Sequence, residues 1–253
     1  MAVENAIEII DIKKSFTPGD YVLNGINLNI PKGKITVIIG FSGTGKSVLL
    51  KHILGLLKPT SGTIKILGTD IANLDDEERI RLRKHFGVLF QYAALFDDMT
   101  ILENVQFPLK EHRRDLSKNQ ITEAAYEKLK QCGLDEKHYK KLPGEVSGGM
   151  RKRCGLARAL ALDPDIFVYD EPTTGLDPIL TEMVDNLILS THNQREDTAS
   201  LVVSHDLHAA FHIGDYVAML DSGKVLLHGT PQVFLESDNP FVAKFVSKGV
   251  HKK

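Results

Sequence analysis

The chain has 253 residues, enough for one large core or two small ones. Its composition, 42% hydrophobic and 25% charged with 20 Gly and 10 Pro, is that of a globular protein and excludes a low-complexity or disordered one. A formal net charge of -2 lacks the basic excess with which nucleic-acid binders neutralise phosphates, so no nucleic-acid partner is expected.

From Met1 to Ile12 there is no basic start followed by an apolar run, so no signal peptide is expected. No stretch reaches the ~18 apolar residues a membrane span needs, so a membrane role would take its span from another chain. Short β-branched runs predict strands at Ile7–Ile12, Leu23–Ile30 and Ile35–Ile39, followed by a helix over Ser47–Leu57. Further strands are predicted at Thr63–Leu67 and Gly87–Phe90. From about Tyr92 to Leu162 no strand signal appears, and an amphipathic helix is predicted over Glu123–Cys132, with another over Met150–Leu162 ending before Pro164. The remainder alternates: strand Ile166–Tyr169, helix Thr181–Ser190, strand Ser200–Val203, helix Leu207–Ile213, strands Tyr216–Leu220 and Lys224–Leu227. Unbroken apolar strands alternating with helices predict an α/β class with a mostly parallel core sheet. The stretch 92–162 reads as a helical subdomain inserted in the core of one domain, 1–253. Cys132 and Cys154 have no metal-like spacing and read as free thiols.

Gly40-Phe-Ser42-Gly43-Thr44-Gly45-Lys46-Ser47 has the P-loop pattern, between a predicted strand and a predicted helix that continues with Val48. Glycines let backbone N–H groups converge on phosphate oxygens, and the helix start adds a partial positive charge. Lys46 supplies a full charge to β/γ phosphates, and the Ser47 hydroxyl is a ligand suited to Mg²⁺. Kinases, GTPases and ATPases all remain open at this point. Ile166–Tyr169 runs into Asp170 and Glu171, at the carboxyl end of a strand where α/β sheets bind ligands. Asp170 is placed to hold Mg²⁺ and Glu171 to polarise an attacking water as general base. Ser147-Gly148-Gly149 precedes Arg151-Lys152-Arg153: an N-cap and two glycines, then cations in a helical first turn where they oppose the helix dipole. An anion docking there would relieve that conflict, and a solvated basic face is the competing reading.

Gly40–Ser47, Gln91, Ser147–Gly149, Asp170-Glu171, Gly175-Leu176-Asp177 and His205 occur in the order and spacing of the ABC transporter ATPase, whose motifs from the P-loop to the switch histidine they resemble. The resemblance covers about Ile7 to Val246 and implies the P-loop NTPase ABC ATPase fold, with an antiparallel β subdomain and a helical subdomain. It also implies a head-to-tail homodimer with ATP and Mg²⁺ between chains, each P-loop facing the partner's Ser147–Gly149. By that resemblance Gln91 ligates Mg²⁺ or positions water, His205 contacts the γ-phosphate, Asp177 belongs to the D-loop, and Phe16 stacks on adenine, with Tyr21 the competing ring.

Met150 with basic residues after it, Gln91–Met99, and Asn104-Val-Gln-Phe-Pro-Leu109 are similar to the Mla-type, MCE-associated phospholipid transport ATPases. That group implies an integral membrane permease, an MCE-type lipid-binding protein, often a small STAS-domain protein, and a place on the cytoplasmic face of the inner membrane. Leu95, Phe96, Met99 and Ile101 are expected to form an exposed apolar set that receives the permease. An importer ATPase for amino acids or other small polar solutes is the alternative, and a non-transport ABC ATPase a further one.

Overall fold

The computed structural model describes residues 4–195 and 197–250, the last three by backbone alone. Residues 1–3, 196 and 251–253 of the expected single domain lie outside that range. The chain runs β1 (Asn5–Thr17), β2 (Asp20–Pro31), β3 (Ile35–Ile39), α1 (Lys46–Ile53), β4 (Ser61–Ile66), β5 (Thr69–Asp70) and α2 (Asp76–Arg83). It continues through β6 (Phe86–Leu89), α3 (Ile101–His112), α4 (Lys118–Gln131), α5 (Gly148–Leu160), β7 (Ile166–Asp170) and α6 (Pro178–Asn193). It closes with β8 (Ala199–Val203), α7 (Leu207–Ile213), β9 (Tyr216–Asp221), β10 (Lys224–Gly229), α8 (Pro231–Leu235) and α9 (Pro240–Val250). Two compact units result: one takes in the chain up to Ile80 and again from Ile188 onward, the other Arg81–Leu187.

In the first unit β2, β1, β4 and β5 form an antiparallel sheet. Ile7 pairs with Ile30 and Ile9 with Leu28, and these side chains are buried. β3 is buried at every residue and lies parallel to β8 and β9, with Ile38 opposite both Val203 and Ala218. β10 pairs antiparallel with β9. In the second unit β6 and β7 pair in parallel, Leu89 opposite Tyr169, and α3, α4 and α5 pack on one another. The expected α/β class with an antiparallel β portion is what forms.

The differences from the sequence reading have local causes. α1 stops at Ile53 rather than Leu57 because Gly55 N–H bonds to the His52 carbonyl (3.0 Å) and Leu56 N–H to that of Lys51 (2.8 Å), a Schellman closure. α4 starts five residues earlier than expected, on a capping box of Ser117 and Gln120. α2 was not expected. It buries no residue, so it has no apolar stripe to read, and it forms on an Asp75–Glu78 capping box with bonds of 2.8 and 2.9 Å. Among the described residues no helix is long and apolar enough to cross a membrane.

Candidate nucleotide-binding site

In the first unit β3 delivers the chain into the loop from Gly40 and α1 takes it up at Lys46. A Cβ on Gly40 would stand 2.5 Å from the Leu220 carbonyl oxygen, and one on Gly45 would stand 2.7 Å from Leu23 Cδ2. Gly45 also has φ 101, so side chains are excluded at both ends of the loop. Lys46 is buried, and its ammonium donates to the carbonyls of Gly40 (2.7 Å) and Phe41 (3.0 Å), so the loop is wound round a cation. Thr44 donates to the Phe41 carbonyl from its hydroxyl (2.9 Å) and its N–H (3.3 Å). No side chain caps α1 and no acid lies in its first turn, which leaves the positive end of that helix to the loop. Ser42, Gly43 and Ser47 are exposed, and Val48 is half-buried behind them.

His205 stands two residues beyond the Ile38–Val203 pair on β8, level with Gly40 on β3, and is exposed. Between the strands Ser204 N–H donates to the Ile38 carbonyl (3.0 Å). Phe16, 63% exposed, and Tyr21, 44% exposed, both lie on the β1–β2 hairpin. The Lys14 ammonium sits 5.1 Å from the Phe16 ring centroid. The segment just after Tyr21, Val22 and Leu23, abuts Gly45.

In the second unit the parallel pair β6 and β7 brings Gln91, Asp170 and Glu171 to one sheet end. Glu171 has a left-handed backbone (φ 48), a strained conformation for a non-glycine residue, and its Oε2 accepts from the Thr174 hydroxyl (2.8 Å). After Gln91 come two left-handed alanines, Ala93 (φ 62) and Ala94 (φ 46). The Arg158 guanidinium donates to both their carbonyls, at 2.7 and 2.8 Å. Fully buried Asn104 accepts from Phe96 N–H (2.8 Å) and donates to the carbonyls of Phe96, Met99 and Thr100 (3.0–3.1 Å). The segment leaving Gln91 is thus held at two points by side chains from elsewhere in the unit.

Ser147 caps α5, its hydroxyl accepting from Met150 N–H (3.3 Å), as expected of a helix that starts at Gly148 and Gly149. The cations behind them correct the sequence reading. Arg151 donates to the carbonyls of Val146 (2.9 Å) and Pro143 (3.4 Å), Arg153 to that of Gly133 (2.6 Å), and Lys152 to that of Pro172. Carbonyl dipoles satisfy the charge, so no anion is required to relieve it. What α5 offers a ligand is its N-terminus and the two glycines. Lys152 is buried, and burial pulls its ammonium below the ordinary lysine value. Asp177 caps α6, its Oδ1 accepting from Leu180 N–H (3.0 Å).

A second correction concerns the apolar set. Ile101 is fully buried as the first residue of α3, its N–H bonded to the Lys141 carbonyl (2.9 Å), while Phe96 remains 39% exposed and Leu95 and Met99 are half-buried. Asn104, Lys152, Arg158 and Thr174 carry no signal for these bonds in the sequence, because the partners are backbone groups or a carboxylate that folding selects.

Residues 23–174 match the family model described as ABC transporter. Over 96% of its length the chain is 44% identical to a probable ribonucleotide transport ATP-binding protein, mkl, of Mycobacterium leprae, and spans 69% of that protein. It is 41% identical, over 96% of its own length and 90% of the relative's, to the intermembrane phospholipid transport system ATP-binding protein MlaF of Haemophilus influenzae. Among solved structures, the dimeric, post-hydrolysis ATP-binding cassette MJ0796 bound to ADP and Pi superposes with a TM-score of 0.80 at 33% identity, covering 89% of this chain and 98% of that one. Fold, loop and relatives agree: the chain belongs to the ABC transporter ATP-binding family and is an ABC-type ATPase.

Proposed function

We propose that the chain hydrolyses MgATP to drive phospholipid transport between membranes, as the ATPase subunit of a transporter whose span is supplied by a permease. The observation that carries the nucleotide site is the loop wound round Lys46 at the head of an uncapped helix. Within a single ABC ATPase domain, Gly40, Ser42, Gly43, Thr44, Gly45, Lys46 and Val48 hold the phosphates, and Phe16 or Tyr21 stacks on the base. The donor set fits a hard divalent cation: the Ser47 hydroxyl, the Gln91 amide oxygen and the Asp170 carboxylate are all oxygen ligands. Bound Mg²⁺ supplies charge neutralisation at the phosphate oxygens. Glu171 accepts the proton of the attacking water, Thr174 fixes its carboxylate, and His205 donates to the γ-phosphate end.

The second chain of a head-to-tail homodimer presents Ser147, Gly148, Gly149 and Asp177 to the nucleotide. The relative that is dimeric with ADP and Pi bound supports a dimer. Phospholipid as cargo rests on the likeness to MlaF over 90% of its length. The resemblance of the sequence motifs adds an MCE-type lipid-binding protein and a place on the cytoplasmic face of the inner membrane. The likeness to a protein named for ribonucleotide transport favours a second reading, an importer ATPase for a polar solute.

The deciding experiments separate chemistry from cargo. Glu171→Gln is expected to keep ATP affinity and lose turnover by about 10²–10⁴-fold, the worth of a general base, and unchanged turnover removes Glu171 from that role. Extraction from membranes with a permease and bound phospholipid supports the lipid reading. ATPase activity that answers to ribonucleotide and ignores phospholipid replaces it with the second.

A further inference from the structure

Phe41 is the second residue of the phosphate loop, and its two ends have different partners. Its carbonyl accepts from the Lys46 ammonium (3.0 Å) and from the Thr44 hydroxyl (2.9 Å) and N–H (3.3 Å). Its ring leaves the loop and meets two phenyl edges of α9: Phe241, with centroids 5.9 Å apart at 76°, and Phe245, 5.2 Å apart at 90°. Both are edge-to-face pairs, in which the positive rim of one ring faces the negative face of another. Phe241 and Phe245 are four residues apart and so share one face of α9.

The seat of α9 is fixed independently of Phe41. Asn239 Oδ1 accepts from the N–H groups of Phe241 (2.9 Å) and Val242 (3.4 Å), with Pro240 between as the first helical residue. Val242 is fully buried, and α9 packs on α7 and α8. Beneath it Phe234 of α8 is buried, its ring centroid 6.0 Å from that of Phe211 in α7. α7 is the helix that begins two residues after His205. α9 therefore packs both on the helix behind the switch histidine and on the phosphate loop. A phenyl ring has nothing to offer a phosphate, so Phe41 serves the loop through its packing.

We propose that Phe241 and Phe245 are positioning residues for the phosphate loop: by clamping the Phe41 ring they hold the carbonyl that orders Lys46, and nucleotide affinity is coupled to the docking of α9. This rests on the reading that Gly40–Ser47 grips the triphosphate. Linkage makes the coupling reciprocal, so nucleotide that orders the loop must also hold α9 more firmly.

The test uses the full chain carrying Glu171→Gln, with MgATP affinity measured by calorimetry. Phe241→Ala combined with Phe245→Ala is expected to weaken binding about threefold to tenfold, the factor that edge-to-face pairs are worth. Phe41→Ala should weaken it as much, and all three together no further, because the same clamp is lost each time. Hydrogen exchange gives the reverse reading: MgATP should slow the amides of 241–247, and Phe41→Ala should abolish that slowing while α9 stays folded. If the alanine pair unfolds the chain, Phe241→Leu with Phe245→Leu keeps apolar packing without the edge-to-face geometry and must still weaken binding. Affinity within about 1.5-fold of the parent, with unaltered exchange on MgATP addition, overturns the clamp while the site stands, provided Lys46→Ala abolishes binding. If Lys46→Ala leaves binding intact, the phosphate-loop reading itself fails.

Discussion

Replacing Asn104 with alanine tests how the segment after Gln91 is held. The side chain is fully buried and makes four bonds: one accepted from Phe96 N–H, and three donated by its amide to the carbonyls of Phe96, Met99 and Thr100. Alanine leaves the Phe96 N–H without its acceptor, which costs about 1–3 kcal/mol for a buried donor. The lost donations add about 0.5–1.5 kcal/mol for each of two N–H groups. A loss near 3 kcal/mol is expected in urea unfolding, with faster hydrogen exchange across 92–100. Asn104→Asp sharpens the test. A carboxylate keeps the acceptor but turns a negative charge on three carbonyls, so at pH 8 it must be worse than alanine. Lowering the pH restores one donor by protonation and should narrow the gap. A loss under about 1 kcal/mol for alanine, or aspartate tolerated at pH 8, refutes Asn104 as the residue that holds this loop.

Lys152→Met removes the ammonium from the Pro172 carbonyl, next to the left-handed Glu171. A charge-assisted bond of about 1.5–3 kcal/mol is lost, so stability should fall by roughly that amount, with kcat reduced more than KM and partly restored by Lys152→Arg. An unchanged kcat would leave Lys152 a packing residue. Burial pushes the thiols of Cys132 and Cys154 up from 9.0 to about 12. The unfolded chain therefore releases these protons first. Their contribution is intact below pH 9 and is lost progressively as the pH rises towards 12. Urea midpoints at pH 8, 9 and 10 should fall chiefly between pH 9 and 10 in the parent, and fall less in Cys132→Ala with Cys154→Ala. Parallel slopes would contradict it.

Chemistry that acts along the chain was legible in the sequence. The glycines, Lys46 and Ser47 bind through the loop's own backbone and one helix start, so their spacing predicts the cradle that forms. The strand ahead of Asp170, the N-cap Ser147 and the apolar β3 and β8 are legible for the same reason: an unbroken apolar run or a three-residue cap is written in consecutive positions. The capping boxes of α2 and α4 are written there too, as Asp75–Glu78 and Ser117–Gln120, polar pairs three residues apart that apolar periodicity does not register.

Tertiary structure alone decided where the charges and rings go. Arg151, Lys152 and Arg153 looked frustrated in a first turn, yet each meets a carbonyl that no spacing rule names. Ile101 looked like exposed apolar surface until the start of α3 buried it. Phe41 has its ring partners 200 and 204 positions along the chain. The physical reason is one of range: backbone geometry and capping are fixed by neighbours in sequence, whereas a buried cation, amide or phenyl ring takes as its partner whatever group the closed fold brings within a few ångströms.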